Sequence, residues 1–149
     1  MIKIGIDVGS TTAKLVAVDE NDNLLFSKYE RHNAKAKETI LSFLKELLSE
    51  IGDKDISVRI TGSIGMGISE KCSLPFVQEV VAAAKAIQKD YSHVTSMIDI
   101  GGEDAKVVFF KDAEATDLRM NGNCAGGTGA FIDQMAIILG VNIDELNQL

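Results

Sequence analysis

The chain has 149 residues, 46% of them hydrophobic and 25% charged, with a formal net charge of -7. That length suits one globular domain or two small ones, and the acidic balance, with no Trp and few Tyr, disfavours a nucleic-acid partner. No apolar run approaches the roughly 20 residues that span a bilayer, residues 1–10 show no signal-peptide core, and two cysteines make no disulfide framework; the expected setting is a reducing cytoplasm, away from membranes.

In chain order, residues 3–8 are short, apolar and β-branched and predict a buried strand. Residues 9–12 form a turn, residues 13–19 the returning strand, and Leu24–Arg31 a third strand after the turn at Glu20, Asn21, Asp22 and Asn23. Ile40, Leu44, Leu47 and Ile51 recur at helical spacing, with Gly52 as the cap. Ile56–Thr61 predicts a fourth strand, after which Gly62, Gly65 and Gly67 break the pattern. A second helix follows Pro75, with Val77, Val80, Val81, Ala84 and Ile87 on one face.

The opening then recurs. Residues 95–100 predict a strand, 101–104 a turn, and Ala105–Lys111 and 113–120 two more strands. A glycine-rich loop at 122–129 leads into a helix carrying Phe131, Ile132, Met135, Ile138 and Leu139 and ending at Gly140; Asn142 is placed to cap another helix near Ile143. Laid on residues 5–16 without a gap, residues 97–108 repeat Ile6, Asp7, Gly9, Ala13, Lys14 and Val16 as Ile98, Asp99, Gly101, Ala105, Lys106 and Val108. The element order, βββαβα then βββα, predicts a first lobe over 1–92 and the truncated start of a duplicate over 93–149.

A carboxylate at a strand end followed by a turn of small residues suits phosphate and metal chemistry. Successive backbone N–H groups form a nest for phosphate oxygens, hydroxyls add donors, and the Asp binds Mg²⁺. Asp7 with Gly9, Ser10, Thr11 and Thr12, and Asp99 with Gly101 and Gly102, are the two candidate turns. Two such turns facing each other would clamp a nucleotide's phosphates. One such turn alone is more often a capped strand end; the pair is the signal.

DVGSTTAK, DIGGEDAK and NGNCAGGTGAFID, in that order, resemble the phosphate motifs and cysteine signature of a known family. It comprises the ATPase activators (component A) of 2-hydroxyacyl-CoA dehydratases and the benzoyl-CoA reductase ATPase subunits of the BadF/BadG/BcrA/BcrD type, within the sugar kinase/Hsp70/actin superfamily. The resemblance implies an α/β, RNase H-like (actin-like ATPase) fold. It implies that Asp7, Gly9, Ser10, Thr11, Thr12 and Lys14, with Asp99, Gly101, Gly102 and Asp104, hold ATP or ADP and Mg²⁺. Glu103, commonly Gln in these activators, would act on the attacking water. Gly126, Gly127, Thr128 and Gly129 resemble the loop near the nucleotide, with Asn123 and Ala130 as in longer, multi-domain relatives.

Cys124 matches a ligand of the 4Fe-4S cluster that the family's homodimers share. Its setting before a helix favours thiolate. No second matching cysteine follows, and Cys72 has no matching context, so it is read as structural. The expectation is a fragment of an activator that passes an electron to a dehydratase or reductase component, itself without an intact cluster and a weak nucleotide binder. The alternatives are a sugar- or acetate-type kinase, an RNase H-type nuclease and a non-catalytic assembly module. His32 and His93 are isolated, and Met66, Met97, Met120 and Met135 read as core.

Overall fold

The computed structural model describes residues 1–111, 114–121 and 127–146. The chain divides into two compact units, Met1–Ala82 and Ala83–Leu149, the division falling inside one helix.

The first unit is a four-stranded sheet ordered β3-β2-β1-β4, with β1 (Ile2–Val8), β2 (Thr12–Val18), β3 (Leu24–Arg31) and β4 (Ile56–Thr61). The first three are antiparallel neighbours, and β4 runs parallel to β1. Alternation along β1 sends Ile2, Ile4, Ile6 and Val8 to one face and Lys3, Gly5 and Asp7 to the other. The apolar face closes on Ile40, Phe43 and Leu47 of α1 (Ala36–Ile51) together with Ala13, Leu15, Ala17, Phe26 and Ile60. Burying a side chain of this size contributes about 1.5–3 kcal/mol. Gly52 ends α1 at a φ of 66°, its N–H bonded to the Leu48 carbonyl, as its position predicts.

Two elements differ from the sequence reading. Helix α2 (Gly65–Cys72) occupies a segment whose glycines predict only a turn. Gly62 takes the left-handed bend instead (φ 95°), and the Ile64 N–H then bonds to the Val8 carbonyl at 2.9 Å, anchoring the chain from which α2 starts. Helix α3 (Glu79–Asp90) begins later than Pro75 predicts. The residues between are held beside β4: Ile60 N–H donates to Pro75 O at 3.0 Å, and Val77 N–H to Ile60 O at 2.8 Å.

The second unit is an antiparallel sheet of β5 (Ser96–Ile100), β6 (Ala105–Lys111) and β7 (Glu114–Asn121), followed by α4 (Gly129–Leu139) and α5 (Ile143–Leu146). Its hairpin reproduces the first. Asp99 pairs with Lys106 as Asp7 pairs with Lys14, and a register irregularity falls at Phe109/Phe110 as at Ala17/Val18. These positions correspond at the same offset, just past the aligned repeat. Asn142 and Glu145 cap α5 reciprocally, each backbone N–H bonded to the other's side chain at 2.8 and 2.9 Å.

Several single residues are placed differently from expectation. Cys72 is exposed at the end of α2, so it is not packed structurally. Met66 and Met120 are exposed rather than core, Met66 on α2 and Met120 on β7.

Candidate functional site

Asp7 lies at the end of β1 on the face turned away from the core, half-buried. After Val8, residues 9–12 turn the chain, closed by the Gly9 N–H to the Thr12 carbonyl at 3.0 Å. Lys14 stands opposite Asp7 on β2, its Nζ 2.8 Å from Asp7 Oδ2. The ammonium also lies 5.5 Å from the Tyr29 ring centroid, on the next strand in register. An ion pair this exposed adds little stability. It balances the carboxylate's charge.

Behind this turn sits His32, which isolation in the sequence gave no reason to single out. Only 3% of its surface is exposed. Its Nε2 lies 3.0 Å from the Gly9 carbonyl oxygen, and its backbone N–H donates to Thr11 O at 3.1 Å. Thr61 pairs with Asp7 across the parallel strands. Among the described residues, His32 Nδ1 and Thr61 Oγ1 are buried side-chain atoms with no hydrogen-bond partner. Both lie beside the first turn.

In the second unit the Gly101 N–H closes the corresponding turn on Asp104 O at 2.8 Å. A Cβ at Gly101 would collide with Asp104 Oδ1, so a larger residue would displace that side chain. The cation differs from the first copy: Lys106 Nζ, buried, pairs with Asp104 Oδ2 at 2.8 Å. Asp99 is half-buried and Glu103 is exposed on the turn. Thr128 precedes α4 in the N-cap position, yet its hydroxyl donates to Gly102 O at 3.2 Å and makes no cap bond. The first α4 amides follow it: Gly129 N–H bonds to Gly101 O at 2.8 Å and Ala130 N–H to Gly102 O at 3.3 Å. Donors that sequence position offers to a ligand are thus spent on joining helix to turn. Gly127 is exposed, and Cys124 and Gly126 lie outside the described residues.

Among the described residues no group of three or more His, Cys, Asp or Glu is arranged to hold a metal. A single strand-end carboxylate such as Asp7 or Asp99 still suits Mg²⁺, which is usually bound by one or two carboxylates completed by phosphate oxygens and water. A 4Fe-4S cluster does not fit this chain alone: it requires four thiolates, and the sequence has two cysteines.

Comparison with known proteins follows the same residues. An uncharacterised protein of Methanocaldococcus jannaschii is 31% identical over 97% of this chain and 58% of its own length. The crystal structure of (R)-2-hydroxyglutaryl-CoA dehydratase component A from Acidaminococcus fermentans matches with a TM-score of 0.85 at 28% identity, covering 99% of this chain and 57% of that one. The activator of 2-hydroxyisocaproyl-CoA dehydratase from Clostridium difficile, with bound ADPNP, matches with a TM-score of 0.84 at 30% identity, covering 98% and 55%. The chain spans a little over half the length of these relatives. The fold is the mixed α/β, actin-like ATPase fold of the activators. A family model matches residues 4–149, and the chain belongs to the BadF/BadG/BcrA/BcrD ATPase family.

Proposed function

We propose that this chain is the phosphate-gripping part of an ATPase that activates an acyl-CoA dehydratase or a related reductase. The observation that carries the reading is the repeated hairpin: a strand-end aspartate, then a turn closed by Gly9 N–H to Thr12 O in one copy and Gly101 N–H to Asp104 O in the other. Such turns expose amide and hydroxyl donors to phosphate oxygens. A relative of 30% identity carries ADPNP, which supports a nucleotide as the ligand.

In this reading Gly9, Ser10, Thr11, Thr12 and Lys14 grip one part of the triphosphate and Gly101, Gly102 and Asp104 another, with the loop from Gly126 to Gly129 alongside. Mg²⁺ bound by Asp7 and Asp99 would neutralise phosphate charge. Glu103 orients the water that attacks the γ-phosphorus, or takes its proton, as ADP leaves. The proposed lobes 1–92 and 93–149 each supply one of these turns. The bonds from Gly129, Ala130 and Thr128 to the second turn support a transmission route, because a shift of that turn carries the start of α4 with it. ATP drives such a shift only to the extent that it binds one arrangement better than the other.

The finer part of the proposal concerns Cys124 as one ligand of a 4Fe-4S cluster shared by two copies in the cytoplasm, delivering an electron to the dehydratase component. Cys72 lies outside the matching motif, so Cys124 is the one cysteine of this chain assigned to that set. The names of the relatives, activators of 2-hydroxyglutaryl-, 2-hydroxyisocaproyl- and lactoyl-CoA dehydratases, support the partner class.

Calorimetric titration with Mg·ATP tests the reading. Asp7→Asn and Asp99→Asn are each expected to weaken binding about tenfold or more (about 1.4 kcal/mol per tenfold), and chelating Mg²⁺ to do the same to the parent chain. Unchanged affinity in both variants would remove the two turns from the site. Anaerobic iron–sulfide reconstitution checks the finer part: iron taken up equally by Cys124→Ala would exclude that thiolate.

A further inference from the structure

We infer that His32 is a positioning residue, which aims the backbone of the first turn at bound phosphate by holding the Gly9 carbonyl inward; the inference deepens the nucleotide reading above and rests on it for the identity of the ligand. A carbonyl oxygen only accepts, so the contact of 3.0 Å from Nε2 to Gly9 O requires the proton on Nε2. In the Nε2–H tautomer Nδ1 is a bare acceptor, and Nδ1 is buried with no partner. Leaving a buried acceptor unpaired is costly, and an aliphatic side chain would fill the same space without that cost. What the imidazole supplies in return is its single donated bond at the ring tip.

The direction of that bond has a consequence for the opposite side of the peptide. No peptide bond among the described residues is cis, so the Gly9 carbonyl and the Ser10 N–H point in opposite directions within one rigid plane. Tethering the oxygen to a ring that is 3% exposed turns the Ser10 N–H away from the core. The same residue holds the turn a second time, through its backbone N–H to Thr11 O at 3.1 Å. A nest for phosphate depends on amides whose orientation is set before the anion arrives. His32 reaches this loop because β3 pairs with β2 and ends at Arg31, opposite Thr12.

The test separates a donor at the ring tip from simple space-filling. Gln places its amide nitrogen near the position of Nε2, whereas Asn places it near Nδ1, and Leu has no donor. In the full chain, His32→Gln is expected to bind Mg·ATP within about twofold of the parent, and His32→Asn and His32→Leu to bind about tenfold more weakly, with faster hydrogen exchange at the Gly9 amide. Ring ¹⁵N shifts of the parent are expected to show the Nε2–H tautomer. A Nδ1–H tautomer, or Gly9 exchange and affinity unchanged in both His32→Asn and His32→Leu, would overturn the inference. If the parent binds no Mg·ATP, the nucleotide reading fails, while the tautomer and the Gly9 exchange rates still decide the role of His32. If His32→Leu does not fold, the Gln and Asn pair carries the comparison.

Discussion

Gly62 shows how one residue shapes the approach to the first turn. Its φ of 95° lies in the left-handed region, and a Cβ there would run into the Val8 backbone. Gly62→Ala is therefore expected to destabilise the fold by about 1–3 kcal/mol, read as a lowered urea midpoint with unchanged slope. Asp7, Lys14, Asp99 and the turn glycines are legible in the sequence because a strand-end acid and a small-residue turn are adjacent in the chain. Thr61 and His32 are not legible in the same way. Thr61 meets Asp7 only through the parallel pairing of β1 with β4, and His32 meets Gly9 only through β3. Lys106 was legible as a strand lysine beside Asp99, but its ion pair goes to Asp104, a choice made by local side-chain geometry.

At the scale of elements, α1 packs against the strands that flank the first turn. Phe43 is among the largest fully buried side chains, and it shares a core with Val8 and Ala13, the residues flanking the turn. Phe43→Ala is expected to cost about 3–5 kcal/mol, measured by chemical denaturation. Helix α1 could be read from periodicity because one face repeats at helical spacing with a glycine stop. Helix α2 could not. It is short and contains Gly67, and a glycine costs about 1 kcal/mol relative to Ala in a helix interior, so tertiary contacts decide it: Ile64 N–H is held by Val8 O. Residues 75–77 depart from the helical reading for a similar reason, since bonds to Ile60 hold them beside β4 before α3 begins.

Across the whole molecule, the two copies share a pattern and differ in how it is covered. Ile6 and Val8 are 5% and 0% exposed, while their counterparts Ile98 and Ile100 are 68% and 52% exposed. In the first unit α1 contributes to the core that closes over this face. A contiguous exposed apolar face binds hydrophobic probes. The parent chain is expected to enhance the fluorescence of an apolar dye, and Ile98→Ser with Ile100→Ser to reduce that enhancement at least twofold; an unchanged signal would show that this face is not what the dye meets.

The 149 residues by themselves determined the duplicated strand–turn–strand, its acid–glycine turns and its family, because alternation, helical periodicity and turn chemistry act over a few neighbouring positions. Only the tertiary structure decided which polar atoms lie behind the first turn, which carbonyls accept the opening amides of α4, and which copy of the apolar face is covered. Those depend on strand pairing and packing between residues distant in the chain. A hydrogen bond such as His32 to Gly9 exists only after β3 has been laid against β2.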